Sequence, residues 1–276
     1  RKSPMNPPKA DPSASEPARG THWPIFVLSL EGDEARRAPL LDALAEMGLE
    51  AEVLIGVDGR NGLPDWAEAE VDRNRNWTLH RPRRPMTDGE LACALSHVRA
   101  YRKIIDEGLS GAIVFEDDAI LSKSFEHFFA AQGFDAGEMV LLGHEEAWVR
   151  PYSKKHLCEG VDGYRLVNAP VFAHAYCLSH AAAAYLIQKS TPVRAPADWP
   201  CDISRLNSLA VNPQIAVQPD DRKAKSHLEK DRSYANLQKR LQKQKFRYVS
   251  FAYWNRMLRK RLEPGRLRKI FGRRIS

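Results

Sequence analysis

The chain has 276 residues, 43% of them hydrophobic, and a net charge of +7, which excludes a disordered or fibrous protein and suffices for one sizeable core. No apolar run approaches the roughly 18 to 20 residues of a membrane-spanning helix, so no bilayer crossing is expected. The charge is divided: residues 222 to 276 hold 19 Lys and Arg against 3 Asp and Glu, a local net of +16, and the other 221 residues carry a net of −9.

Residues 1 to 20 are rich in Pro, Ser, Ala and charge and are expected to form a disordered leader, because they cannot bury enough apolar surface to fold. Pro24 to Leu30 reads as a first strand. A helix follows over Asp33 to Met47, with Leu40, Leu41, Leu44 and Met47 on one face and Gly48 as its stop. Pro39 inside that pattern predicts a late start or a kink. Glu52 to Val57 is a second strand closed by Asp58-Gly59, and Arg60 to Pro85 reads as a long, partly helical loop of the kind that covers a site. Thr87-Asp88-Gly89-Glu90 is a capping box. From it, Leu91, Ala94, Leu95, Val98, Tyr101, Ile104 and Ile105 line one helix face as far as Gly108. A buried strand from Gly111 ends in Glu116-Asp117-Asp118, and a helix over Ser124 to Ala131, a strand over Glu138 to Leu142 and a strand and helix over Val171 to Lys189 complete the pattern. Such alternation specifies an α/β domain over 21 to 221, with a mixed, mostly parallel sheet covered by helices on both faces.

The basic C-terminal extension, 222 to 276, interleaves Phe246, Phe251, Tyr253, Trp254, Met257 and Leu258 with Arg247, Arg256, Arg259, Lys260 and Arg261. That mixture is expected of a partly helical segment lying on an anionic membrane surface. Nucleic acid is the less favoured partner, since no nucleic-acid-binding motif accompanies the charge. Cys93, Cys158, Cys177 and Cys201 are widely spaced and read as reduced thiols, neither disulfides nor zinc ligands. Together with the lack of a secretory signal pattern, this predicts a cytoplasmic protein, peripheral on the inner face of the membrane.

The informative feature is the end of the Gly111 strand. Ligands collect beyond the carboxyl ends of strands in open α/β sheets, and carboxylate oxygens there suit Mg²⁺ or Mn²⁺ with positions left for substrate phosphates. An acidic turn without a ligand is the alternative.

Pro-Ile-Phe-Val-Leu-Ser-Leu with Arg36-Arg37, Gly56-Val57-Asp58-Gly59, the run Met86 to His97 and Phe115-Glu116-Asp117-Asp118 together resemble glycosyltransferase family 25, over about Pro24 to Arg232. The resemblance implies a GT-A-like nucleotide-sugar fold and a Mn²⁺-dependent inverting hexosyl transfer, with Mg²⁺ as an alternative ion. The implied donor is a UDP-sugar, commonly UDP-galactose, and the implied acceptor a lipid-linked oligosaccharide of the lipopolysaccharide or lipooligosaccharide core.

Glu116 and Asp118 then match an Asp-x-Asp motif with Glu first, and are the expected metal ligands, with Asp117 beside the donor. Arg36 and Arg37 are candidates for the uracil edge or a phosphate oxygen, or else a solvated pair opening a helix. Val57 and Asp58 are candidates for the nucleoside, and Ser96 and His97 for the donor pocket unless His97 is simply a buried, satisfied histidine. Asp198 is the candidate general base, or a helix N-cap, with Trp199 offered to a sugar face. Asp202, Glu145 and Glu146 are its rivals, and His174 and His227 are further candidate metal ligands. A non-catalytic protein that binds a polyanion or membrane through the basic extension is the alternative function.

Overall fold

A computed structural model describes residues 23–76, 84–145, 147–219 and 272–275. In chain order it contains β1 (Ile25–Ser29), α1 (Glu34–Glu46), β2 (Ala51–Ile55), α2 (Asp65–Glu68), α3 (Asp88–Asp106) and β3 (Gly111–Glu116). There follow β4 (Ile120–Leu121), α4 (Ser124–Ala130), β5 (Met139–Leu141), β6 (Ala147–Val149), β7 (Lys155–Cys158) and β8 (Val161–Arg165). The last are β9 (Ala175–Ser179), α5 (His180–Ser190), β10 (Ser208–Asn212), β11 (Ala216–Val217) and β12 (Arg273–Ile275).

Eight strands form one sheet in the order β2-β1-β3-β9-β5-β10-β8-β7. The strand β1 is buried at every position because both faces of the sheet are covered, and its side chains alternate between them. Phe26 and Leu28 join a core with Leu91, Leu95 and Val98 of α3 and Ala182 and Leu186 of α5. Ile25 and Val27 join the opposite core with Leu40 and Leu44 of α1 and Phe125 and Phe128 of α4. This is the mixed α/β, GT-A-like architecture anticipated from the alternation and the resemblance.

The sheet is less parallel than expected. Three ladders are parallel, β1 with β2, β1 with β3 and β5 with β10, and four are antiparallel. The strand β9 causes half of the difference, inserting between β3 and β5 antiparallel to both, and the hairpin β7–β8 with its pairing to β10 adds the rest. Reading strand-helix alternation along the chain could not reveal β6, β7 or β8, which follow one another with no helix between them. The helix α1 begins at Glu34, with Pro39 inside it rather than delaying its start. In the loop after β2 only the single turn α2 is helical among the described residues.

Helix α3 is the structural hub. Thr87 Oγ1 accepts the Glu90 backbone N–H and the Glu90 carboxylate accepts that of Thr87, the reciprocal cap anticipated. Glu90 is buried, and it is charge-balanced by both terminal nitrogens of Arg84 at 2.6 and 2.9 Å. At the other end Gly108 takes a left-handed conformation, φ 63°, which a side chain would resist.

Of the basic extension, only 272–275 lie among the described residues, so the expected membrane-facing helix falls outside them, as do the 1–20 leader, Glu146 and His227. What is described is a strand: β12 pairs antiparallel with β6, Ile275 is buried, and Arg273 lies over the Tyr164 ring at 5.4 Å. Replacing Thr87 with Ala should remove the cap hydrogen bond from a largely buried helix and lower stability by about 1 kcal/mol, read as a shifted midpoint in urea denaturation with an unchanged slope.

Candidate active site

Parallel register brings the carboxyl ends of β1 and β3 side by side, with Leu28 opposite Glu116, and sets Ser29 of β1 against Ile55 of β2. Beyond these ends lies a cleft of about 230 Å³. Its walls come from the turn after β1, the Gly56–Arg60 segment and one face of α3, on which Gly89, Cys93, Ser96 and His97 recur at helical spacing. The remaining wall comes from Phe172–Ala173, Pro196–Asp198 and Gln218.

The floor carries the three carboxylates. Arg36 reaches back from α1 and bridges two of them, Nε donating to Asp117 Oδ1 at 2.6 Å and Nη2 to Asp118 Oδ2 at 2.5 Å. Ser29 Oγ donates to the other oxygen of Asp117 at 2.8 Å, so both oxygens of this buried side chain are committed to holding the strand ends together. Glu116 and Asp118 instead converge on the Gln218 amide, whose Nε2 donates to Glu116 Oε2 at 3.1 Å and Asp118 Oδ1 at 3.4 Å. On its other side, Glu116 Oε1 lies 3.3 Å from His97 Nε2. The His97 Nδ1 is 2.7 Å from the Tyr176 hydroxyl, which in turn donates to the Tyr101 oxygen at 3.3 Å.

Electrostatics separate the two carboxylates. Burial, then the adjacent charge of Glu116, push the Asp118 carboxyl up to about 6 against the pull of Arg36. Burial would raise Glu116 too. Its hydrogen bond to His97 and the charges of His97, His174 and Arg36 outweigh that and leave it below the usual carboxylate range. The cleft therefore holds more negative charge than Arg36 compensates.

Arg36, Val57, Ser96, His97, Glu116, Asp117, Asp118 and Asp198 all line this one cleft. Two of the residues expected there do not. Arg37 turns toward Glu34, Ser29 and the Leu30 carbonyl, and Asp58 grips Arg60 through both oxygens, at 3.0 and 2.7 Å. The Ser96 hydroxyl is occupied within the fold, accepting the Val57 N–H and donating to the Ala92 carbonyl, both at 2.8 Å. Trp199 is buried and packs edge-on against Tyr176 at 5.2 Å, so it offers no face to a sugar. Of the rivals to Asp198, Asp202 caps the 3₁₀ turn Ile203–Arg205 through the Ser204 N–H, and Glu145 is exposed and pairs through its backbone with Val171. His174 is buried behind Glu116, whose N–H bonds its carbonyl at 2.8 Å.

Arg60, Phe172 and Gln218 are among the lining residues that escaped the sequence reading. Arg60 follows the Asp58-Gly59 turn and was legible as a cation at a strand end. A Cβ on that Gly59 would meet the Asp88 carbonyl oxygen at 2.5 Å, which is how closely the turn packs on the start of α3. Phe172, held at φ 73°, and Gln218, delivered by the short β11–β4 pair, had no local signal.

A mixed α/β sheet with an acidic strand end in a cleft of this construction is the architecture of a GT-A-like glycosyltransferase. The sequence model of the family described as "Glycosyltransferase family 25 (LPS biosynthesis protein)" matches residues 22–201, and the chain belongs to that family. It is 29% identical over 170 residues to the probable inactive glycosyltransferase 25 family member 3 of Rattus norvegicus, covering 59% of this chain and 29% of that protein. It is 31% identical over 109 residues to procollagen galactosyltransferase 2 of Mus musculus, 38% of this chain and 16% of that one. With procollagen galactosyltransferase 1 of Danio rerio the identity is 32% over 106 residues, 38% and 17% of the two chains. The aligned stretches thus span less than a third of the length of these relatives.

A raised carboxyl makes the folded state bind more protons than the unfolded one between its ordinary value of 3.8 and about 6, so stability falls as pH rises through that window and the full cost persists above it. Asp118→Asn should therefore stabilise the metal-free protein at pH 7.5 by on the order of 2 kcal/mol. The gain should vanish below about pH 4, where the carboxyl is protonated in both states. Urea denaturation in EDTA at the two pH values checks both parts.

Proposed function

We propose that the protein is a divalent-cation-dependent inverting glycosyltransferase that moves a hexose, galactose foremost, from a UDP-sugar to a lipopolysaccharide or lipooligosaccharide core acceptor. Family membership embraces relatives named as galactosyltransferases and relatives named as inactive, so the argument for catalysis rests on the cleft. The observation that carries it is the convergence of Glu116 and Asp118 on a single hydrogen-bond donor, Gln218, in a pocket with surplus negative charge.

This donor set fits a hard cation. Carboxylate oxygens that share one donor, with Asp118 pushed up to about 6 by its surroundings, have uncompensated charge to give a metal. Glu116 and Asp118 would hold Mn²⁺ or Mg²⁺, and the bound ion would offset the charge on a departing diphosphate. Arg36 keeps Asp117 and Asp118 oriented, and His97 does the same for Glu116. Arg60, fixed by Asp58 at the rim, supplies a guanidinium for a phosphate oxygen. Asp198 lines the cleft as part of the 196–198 segment and accepts the proton of the acceptor hydroxyl as it attacks from the face opposite the leaving group. The basic residues 222–276 fit attraction to an anionic membrane carrying a lipid-linked acceptor.

UDP should raise the melting temperature only when Mn²⁺ is present, corresponding to about 2.7 kcal/mol at a hundredfold excess over Kd. Equal stabilisation without the ion would overturn the metal assignment, and no effect of either would favour a non-catalytic binding protein. Asp198→Asn should lower kcat by about 10²- to 10⁴-fold with the donor KM little changed, measured by release of UDP in the presence of acceptor.

A further inference from the structure

We propose that Cys93, His97 and Glu116 form a second cation site, suited to a borderline-soft divalent ion, Zn²⁺ foremost, next to the oxygen-lined pair of Glu116 and Asp118. Cys93 and His97 lie four residues apart on α3 and therefore share a face, which is the face lining the cleft. The end of β3 sets Glu116 opposite them. One ligand atom from each of the three lies within 4.8 Å of the other two.

The separation between the imidazole and the carboxylate matches a tetrahedral site with one open position. His97 Nε2 and Glu116 Oε1 stand 3.3 Å apart, the separation of about 3.3 Å that two ligands make when each lies 2.0–2.1 Å from zinc at a tetrahedral angle. The other ring nitrogen of His97 is held at 2.7 Å by the Tyr176 hydroxyl, the outer partner that fixes the ring of a metal-bound histidine. Tyr176 is itself fixed by Tyr101 and by the Trp199 ring. Cys93 supplies the soft donor that separates this set from the all-oxygen pair, since thiolate and imidazole select zinc over magnesium or manganese. Three protein ligands leave the fourth position to water or to a ligand in the cleft.

Glu116 is common to both sites but uses different oxygens, Oε1 toward His97 and Oε2 toward the Gln218 amide that it shares with Asp118. Zinc bound here occupies the cleft and draws on a carboxylate that the donor-binding ion also needs. The cysteines looked unlike zinc ligands in the sequence because the third ligand comes from a strand 19 residues beyond His97, not from a neighbouring Cys or His.

The test uses the full chain stripped with EDTA and titrated with Cd²⁺, whose bond to thiolate gives an ultraviolet charge-transfer band. The band should saturate at one equivalent and disappear in Cys93→Ser, with Zn²⁺ affinity falling at least about tenfold. Tyr176→Phe keeps the thiol and should keep the band while weakening Zn²⁺ about tenfold or more. In the unmutated protein, Zn²⁺ should slow iodoacetamide alkylation of Cys93, read by peptide mass spectrometry. A band that persists in Cys93→Ser, no band in the folded wild type, or an alkylation rate indifferent to Zn²⁺ would overturn the site. Binding of UDP with Mn²⁺ is a separate readout, so failure here leaves the transferase reading standing, and the reverse also holds.

Discussion

Repulsion among three consecutive carboxylates at the end of β3 is the constraint around which the rest of the cleft is arranged. Left alone, Glu116, Asp117 and Asp118 would drive one another to the neutral form or out into solvent. Each is instead given its own restraint. Asp117 is tied to β1 through Ser29 and to α1 through Arg36, Asp118 shares the same guanidinium, and Glu116 leans on His97. The remaining imbalance is concentrated on Asp118, in the floor of the cleft. A half-buried charge that its partners compensate only in part persists in a folded protein at a cost to stability, and such a cost is characteristic of sites kept for binding or chemistry.

Helix α3 makes this arrangement rigid. Its first turns are buried almost all round, and within them Glu90 is balanced by Arg84, Ser96 ties down the end of β2, and His97 reaches the end of β3. One helix therefore sets the spacing between the ends of β2 and β3. The tyrosine pair behind His97, with Trp199 packed on Tyr176, connects Glu116 to the segment that carries Asp198. Trp199 holds φ 65° there, backbone strain of the kind that clusters at functional loops.

What was legible in the sequence follows from how local each signal is. The capping box, the apolar runs of β1 and β3, and the Glu-Asp-Asp strand end each declare themselves within a few residues, and each is found where expected. Parallel alignment of strand ends then gathers Arg36, His97 and the carboxylates at one place without any need to know side-chain directions. The directions themselves were not legible. Arg37 and Asp58 sit next to cleft residues yet turn away, because each has a closer partner, in Glu34 and Arg60 respectively. Trp199 follows a cleft residue but is turned into the core. Gln218 reaches the site only through a two-residue strand pair, β11 with β4, and β9 reverses its neighbours' direction in a way that no strand-helix alternation encodes.

The central claim is that Glu116 and Asp118 hold a hard cation that a nucleoside diphosphate then shares. Electron paramagnetic resonance of Mn²⁺ titrated into the metal-free protein tests it most directly. The account predicts that the free-ion signal is lost up to one equivalent, that UDP tightens this binding, and that Asp118→Asn restores the free signal. A free-ion signal unchanged by the wild-type protein, with or without UDP, would contradict it.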